Sequence, residues 1–250
     1  MQIHILPNNN YTKPILSSCS IGSASPHMGL CQSNYPDLSS DLQQMKDSST
    51  LSDVYNVLPH FADLSTYMIQ QVIQFSKEIP AFRALTIEDQ ISLLKGSTME
   101  VSNIQFNRDF NVETKMWQCG KIRFSIDDGA IAGFQQLYLE PLQKFHLSLR
   151  QLNLDQAEYV LLEALILFSP DRPGIMERKV IDEIQEKLAI TLKCYIDDHH
   201  PLPEGRFLYP KLLSLLAELR TLNEENTRQI LHIQDVSSDA MTPLMKEILC

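Results

Sequence analysis

Between residues 206 and 234 one helical period carries Phe207, Leu208, Leu212, Leu213, Leu215, Leu216, Leu219 and Leu222, so its first half is apolar over more than half the circumference. A helix with that much apolar surface is buried on two sides, or on one side by its own chain and on another by a partner. That demand selects packed helices as the frame of the fold. Other segments supply the neighbours. Phe61, Leu64, Met68, Val72, Phe75 and Ile79 recur at steps of 3, 4, 4, 3 and 4, one face of a long amphipathic helix stopped by Pro80. Thr86, with Asp89 three residues on, is an N-cap for a helix through "DQISLLKGSTMEVSNIQF". Further helices are predicted over residues 128 to 150, bent at Pro141, over 155 to 168, and along Ile181, Ile184, Leu188, Leu192 and Tyr195. A short amphipathic turn, Leu244 to Leu249, follows Pro243. Only "MWQCGKIRFSI" alternates as a strand pair does, and "SPDRPG" has the chemistry of a loop. With 8 glycines in 250 residues a turn-rich sheet fold is disfavoured. The expectation is an all-α domain over residues 53 to 250 with one small β-hairpin. Residues 1 to 52, rich in Ser, Pro and Asn without apolar period, read as a mostly disordered segment with at best a short helix near Asp41 to Lys46.

Several classes of function are disfavoured on chemistry. The formal net charge of −10 opposes a grip on phosphate backbones. Five scattered cysteines without a Cys-x-x-Cys pair suggest neither a disulfide framework nor a zinc cluster, and point to a reducing compartment. The apolar opening, Ile3, Ile5 and Leu6, is cut short by Pro7, unlike a secretory signal, and the most apolar stretch, 159 to 168, is half a membrane span and holds Glu163. No His-Glu-x-x-His, Gly-x-Ser-x-Gly or Walker loop is present, so no enzyme, metal or cofactor is expected. His199 and His200 after two aspartates read as a solvated loop, and His60 and His232 as helix-end residues. The Leu-x-x-Leu-Leu run Leu212 to Leu216 reads as core or dimer surface.

Four separated segments carry a resemblance. "FADLSTYMIQQVIQFSKEIPAFRALTIEDQISLLKG" (61 to 96) resembles the helix 3 to helix 5 signature of nuclear receptor ligand-binding domains. "LFSPDRPG" (167 to 174) resembles the loop after that fold's eighth helix, "RFLYPKLLSLLAELRTLN" (206 to 223) its dimerisation helix, and "PLMKEIL" (243 to 249) its activation helix. Within the family the wording is most similar to the xenobiotic receptors, the constitutive androstane and pregnane X subfamily. The resemblance implies a three-layer antiparallel helical sandwich and a ligand-regulated transcription factor module in the nucleus, with shuttling from the cytoplasm. Its partners would be small lipophilic xenobiotics or steroids, Leu-x-x-Leu-Leu coactivators, and the retinoid X receptor through Leu212, Leu215, Leu216 and Leu219.

A coactivator helix has unpaired amides at one end and unpaired carbonyls at the other, which a glutamate and a lysine across a groove would cap. By resemblance Lys77 and Glu247 are that pair, Lys95 the second lysine, and Ile91, Leu94 and Leu244 apolar contacts. The resemblance likewise implies a ligand cavity lined by Phe61, Leu64, Ser65, Met68, Ser102, Asn103, Phe106, Trp117, Phe124, Phe134, Leu142, Ile230 and Met245, apolar with a few polar groups. Asn226 stands where close relatives carry a tyrosine that contacts the activation helix. The Cys250 carboxylate is expected to pair with Lys95 and hold that helix docked.

Two departures set up a rival reading. Cys19 and Cys31 alone cannot form the two four-cysteine zinc sites of a full receptor, and no amphipathic helix precedes Val54 where the family has its first. A truncated chain without its own DNA contact is therefore expected, and a dominant-negative fragment that sequesters the dimer partner or coactivators is the alternative. An all-helical lipid carrier is the alternative from another class.

Overall fold

The structure, a computed structural model, describes residues 51–119, 122–236 and 242–249. Expectations placed on residues 1 to 50 and on Cys250 lie outside the described residues, as do the side chains of His60, Phe61 and His232. The elements among the described residues are α1 (Leu51–Glu78), α2 (Pro80–Arg83), α3 (Ile87–Asn107), β1 (Phe110–Asn111), β2 (Met116–Cys119), β3 (Ile122–Phe124), α4 (Ile126–Ile131), α5 (Gln136–Arg150), α6 (Gln156–Leu167), α7 (Arg178–His199), α8 (Glu204–Val236) and α9 (Pro243–Leu249). Helix α1 thus begins before the boundary expected at residue 53.

A middle layer of α3, α6 and α7 is flanked by α1 on one side and by α5 and α8 on the other, with α9 resting on α1 and α3. Helix α6 sits deepest: every residue from Glu158 to Ser169 is buried except Val160, which is half-buried. This is why its sequence is the most apolar of the chain and has little amphipathic period. The main core joins it to Val72 and Phe75 of α1, Leu93 and Ile104 of α3, and Leu192 of α7. Helix α8 sends Leu208, Leu212, Leu219 and Leu222 inward, while Phe207 stays 57% and Leu213 43% exposed.

Local chemistry fixes the starts of three helices. Thr86 Oγ1 accepts the Asp89 amide at 3.2 Å, so the expected cap of α3 is present. The Asp89 carboxylate does not reciprocate; fully buried, it accepts the amides of Met176 (2.6 Å) and Glu177 (3.1 Å) and ties the start of α3 to the start of α7. Ser125 with Asp128, and Asp155 with Glu158, form capping boxes on α4 and α6.

One expected element is corrected and another is extended. The helix foreseen over 128 to 150 is two helices, and the break falls at Gly133, not at Pro141. Gly133 adopts φ +102°, which ends α4 at little steric cost, whereas Pro141 lies within α5. The expected hairpin is present as β2 and β3, and β1 extends it to a three-stranded antiparallel sheet in the order β1-β2-β3. Its register sets Phe110 against Trp117 and Trp117 against Phe124, a row of aromatics buried across the strands. Between β1 and β2, Asn111 Oδ1 accepts the amides of Glu113 and Thr114, each at 2.9 Å, an Asx turn.

Candidate ligand pocket and coregulator groove

The predicted pocket residues separate into two apolar clusters on either side of α1. Leu64, Phe106, Trp117 and Phe124 are buried together with Phe110, and Met68, Ile126 and Leu147 pack against them. Trp117 is the hub: its ring stacks on Phe106 (centroids 5.9 Å, 12° between planes), tilts on Phe110 (4.9 Å) and meets His146 edge-on (5.0 Å). Ile230 and Met245 belong to the second cluster, with Ala62, Ile69 and Ile248, and Phe134 packs against it. Ser65, Asn103 and Leu142 are half-buried, and Asn103 Nδ2 donates to Met99 O at 2.9 Å. Ser102 is buried, and its hydroxyl and the Trp117 indole N–H have no hydrogen-bond partner among the described residues. Buried donors of this kind cost free energy until an acceptor reaches them.

A polar chain backs the aromatic cluster. Tyr159 Oη donates to Asn107 Oδ1 at 2.7 Å, and Asn107 Nδ2 donates to both His146 Nδ1 and His146 O at 3.0 Å. The His146 carbonyl can only accept, which fixes which way the Asn107 amide points, so His146 Nδ1 is the acceptor and its proton resides on Nε2. Burial lowers the His146 pKa to about 3, which keeps the ring neutral. Behind it Glu163 is held by Arg108 and by Gln105 Nε2 at 3.1 Å; burial raises its pKa against the pull of those partners. His146 is absent from the sequence expectations. Its flanks, "KFHLSL", mark an apolar helix face, but nothing local shows that Asn107 and Tyr159 converge on it.

On the other side of α1, α9 docks through Met245 and Ile248, which join the second cluster. The Thr66 and Thr242 hydroxyls hydrogen-bond at 2.7 Å, and Thr242 Oγ1 accepts the Met245 amide at 3.3 Å, so one threonine both caps α9 and tethers it to α1. Lys77, in the last turn of α1, Lys95 on α3 and Glu247 on α9 are all exposed. None of the three joins an ion pair among the described residues. Ile91 is 46% exposed, and Leu94 and Leu244 are half-buried beside the second cluster. Asn226, on α8, is buried.

The four leucines expected at a dimer surface divide. Leu212 and Leu219 are wholly buried in this chain's own core, because α8 turns that stripe toward α3 and α7. Leu215 and Leu216 are half-buried, so a partner would meet them beside Phe207 and Leu213. A groove of about 470 Å³, lined among others by Leu165, Ile166, Asp182, Leu216 and Arg220, opens between α6, α7 and α8 and includes none of the predicted pocket residues. The two histidines are not simply solvated: His199 stacks on Tyr195 (3.8 Å), and His200 Nε2 meets Glu158 Oε1 at 2.6 Å. Among the described residues no helix is long and apolar enough to cross a membrane.

The layered helices, the aromatic sheet beside α3 and the short C-terminal helix seated on α1 together define a ligand-binding domain built like a hormone receptor's. Residues 54–234 match the family model described as the ligand-binding domain of nuclear hormone receptor, and the chain belongs to that family. It is 50% identical to nuclear receptor subfamily 1 group I member 2 of Homo sapiens over 196 residues, 78% of this chain and 45% of that protein. To nuclear receptor subfamily 1 group I member 3 of Pan troglodytes it is 52% identical over 199 residues, 80% of this chain and 57% of that protein. The chain spans about half the length of these curated relatives.

Proposed function

We propose that this domain binds small lipophilic molecules, xenobiotics or steroids, and recruits Leu-x-x-Leu-Leu helices of coactivators to the face formed by α1, α3 and α9, as the ligand-regulated part of a nuclear transcription factor. The observation that supports the reading is that α9 packs on α1 and α3 while Glu247 of α9, Lys77 of α1, and Lys95 and Ile91 of α3 are all exposed. A two-turn helix laid there has its C-terminal carbonyls met by a lysine and its N-terminal amides by the glutamate, and its leucines cover Ile91, Leu94 and Leu244. The ligand is read as chiefly apolar with an acceptor, since the Trp117 indole N–H is a buried donor without a partner among the described residues, amid aromatic surface. The exposed part of α8, Phe207 and Leu213 with Leu215 and Leu216, is the surface assigned to the retinoid X receptor.

The test is fluorescence polarisation of a labelled Leu-x-x-Leu-Leu peptide with the whole chain, wild type beside Glu247→Ala and Lys77→Ala. The expected outcome is wild-type binding weakened at least about tenfold in each variant, the loss of a charge-assisted cap. Equal binding by all three, or none by a wild type that is fully helical by circular dichroism, refutes the reading.

A further inference from the structure

The turn that joins α4 to α5 is fastened to α8 by a two-way amide clasp. Gln229, 4% exposed, accepts the Gln135 backbone amide on Oε1 at 3.0 Å and donates from Nε2 to Gln135 Oε1 at 3.1 Å. The same Nε2 donates to Glu225 Oε1 at 2.9 Å, so both amide hydrogens of Gln229 have acceptors and its oxygen has a donor. Gln135 is the N-cap residue of α5 but makes no side-chain cap, which leaves its Oε1 to accept from Gln229 Nε2. The residues on either side of the clasp belong together. Phe134, next to Gln135, packs against the second cluster, and Ile230, next to Gln229, is a buried member of it with Met245 and Ile248 of α9. Gly133, at φ +102°, makes the reversal that brings Phe134 to this place, and the Phe134 amide donates to Gly129 O at 3.1 Å.

We infer that Gln229 is a positioning residue that seats Phe134 against the α9 cluster, and so couples the α4–α5 turn to the docking of α9. The inference rests on the proposed function for its meaning but not for its test. Gln229 is buried although Gln135 is on the surface, so releasing Gln135 leaves Gln229 Oε1 without its donor and Nε2 with Glu225 alone. The clasp is therefore engaged or broken, which is the behaviour required of an element that transmits between two places. The turn it holds continues from β3 and α4, whose Phe124 and Ile126 belong to the aromatic cluster, so an occupant that moves that wall acts on the clasp.

Hydrogen exchange of the whole chain, read by mass spectrometry, decides the matter for wild type, Gln229→Leu, Gln135→Ala and the surface control Gln136→Ala. Expected in Gln229→Leu is exchange about tenfold faster in residues 243–249 and 130–138 together, with the urea midpoint of the main core moved no more than in the control. Gln135→Ala, which keeps the backbone amide bond to Gln229, is expected to give a smaller rise, about threefold, at both places. Faster exchange in 130–138 with α9 unchanged overturns the coupling, as does a uniform rise in all helices with a lowered midpoint. Should Gln229→Leu fail to fold, Gln135→Ala carries the test, and unchanged α9 exchange in it overturns the inference. Peptide polarisation on the same variants separates the two readings: a wild type that binds no peptide defeats the proposed function, while the exchange result stands on its own.

Discussion

His146 makes the acid stability of this domain calculable. Its pKa of about 3 in the folded chain compares with about 6.5 in an unfolded one, so between those values the unfolded state binds a proton that the folded state refuses. A group that binds more protons when unfolded destabilises the fold as pH falls, at about 1.4 kcal/mol per pH unit once below 6.5. At pH 4.5 the cost from this ring is roughly 2.5 kcal/mol relative to pH 7. His146→Phe removes the titration and keeps most of the packing. The ring still fills the space beside Phe110, Trp117 and Phe145, and Asn107 Nδ2 keeps its second acceptor, the backbone carbonyl of residue 146, at 3.0 Å. The variant should lie within about 1.5 kcal/mol of wild type at pH 7 and gain on it steadily below pH 6.5, overtaking it by pH 4.5. Urea unfolding followed by circular dichroism at pH 7, 5.5 and 4.5 measures this. Carboxylates that titrate in the same range are common to both proteins and cancel in the difference, including Glu163, whose raised pKa acts with the opposite sign. Parallel stability curves across the range would show that the ring is protonated where it sits, and that the neutral-acceptor account of Asn107 and Tyr159 is wrong.

Two further predictions concern buried charge. Arg172 clamps Glu100 through two bonds, Nη1–Oε1 at 2.7 Å and Nη2–Oε2 at 2.8 Å, with both side chains under a tenth exposed. Arg172→Leu should cost about 3 kcal/mol in urea unfolding, because it leaves that buried carboxylate only Asn223 Nδ2 at 3.4 Å and Arg220 Nε at 3.9 Å, and adding Glu100→Met should recover most of it. Asp89→Ala removes the acceptor for two amides at the start of α7 and should cost about 2–4 kcal/mol, with exchange quickening first at residues 175–180.

The long faces were legible in the sequence because helical period is a local property. Phe61 to Ile79 predicted α1, and the Thr86 cap was read from three residues. The break at Gly133 was not: a proline is the louder signal, and only the positive φ of the folded chain shows that the glycine ends α4. Strand β1 is two residues long, too short for any period to register, and exists because Phe110 completes the aromatic row. At the site, resemblance supplied residues one by one but not their grouping into two clusters. The chain Tyr159–Asn107–His146 spans residues 39 to 52 positions apart, which no spacing rule connects. The four leucines of α8 look alike in sequence, and only packing against α3 and α7 withdraws Leu212 and Leu219 from a partner's reach.

Gly96 lies against the Arg172 stem so closely that a Cβ at residue 96 would sit 2.5 Å from Arg172 Cδ, while the head of that arginine neutralises buried Glu100. The three positions therefore mutate as one. A side chain at 96 collides with the arginine stem, losing the arginine leaves Glu100 with Asn223 Nδ2 at 3.4 Å and Arg220 Nε at 3.9 Å, and an apolar residue at 100 leaves the Arg172 guanidinium buried without its close anion. A replacement at one of the three positions is therefore felt at the other two, across the junction between α3 and the loop before α7.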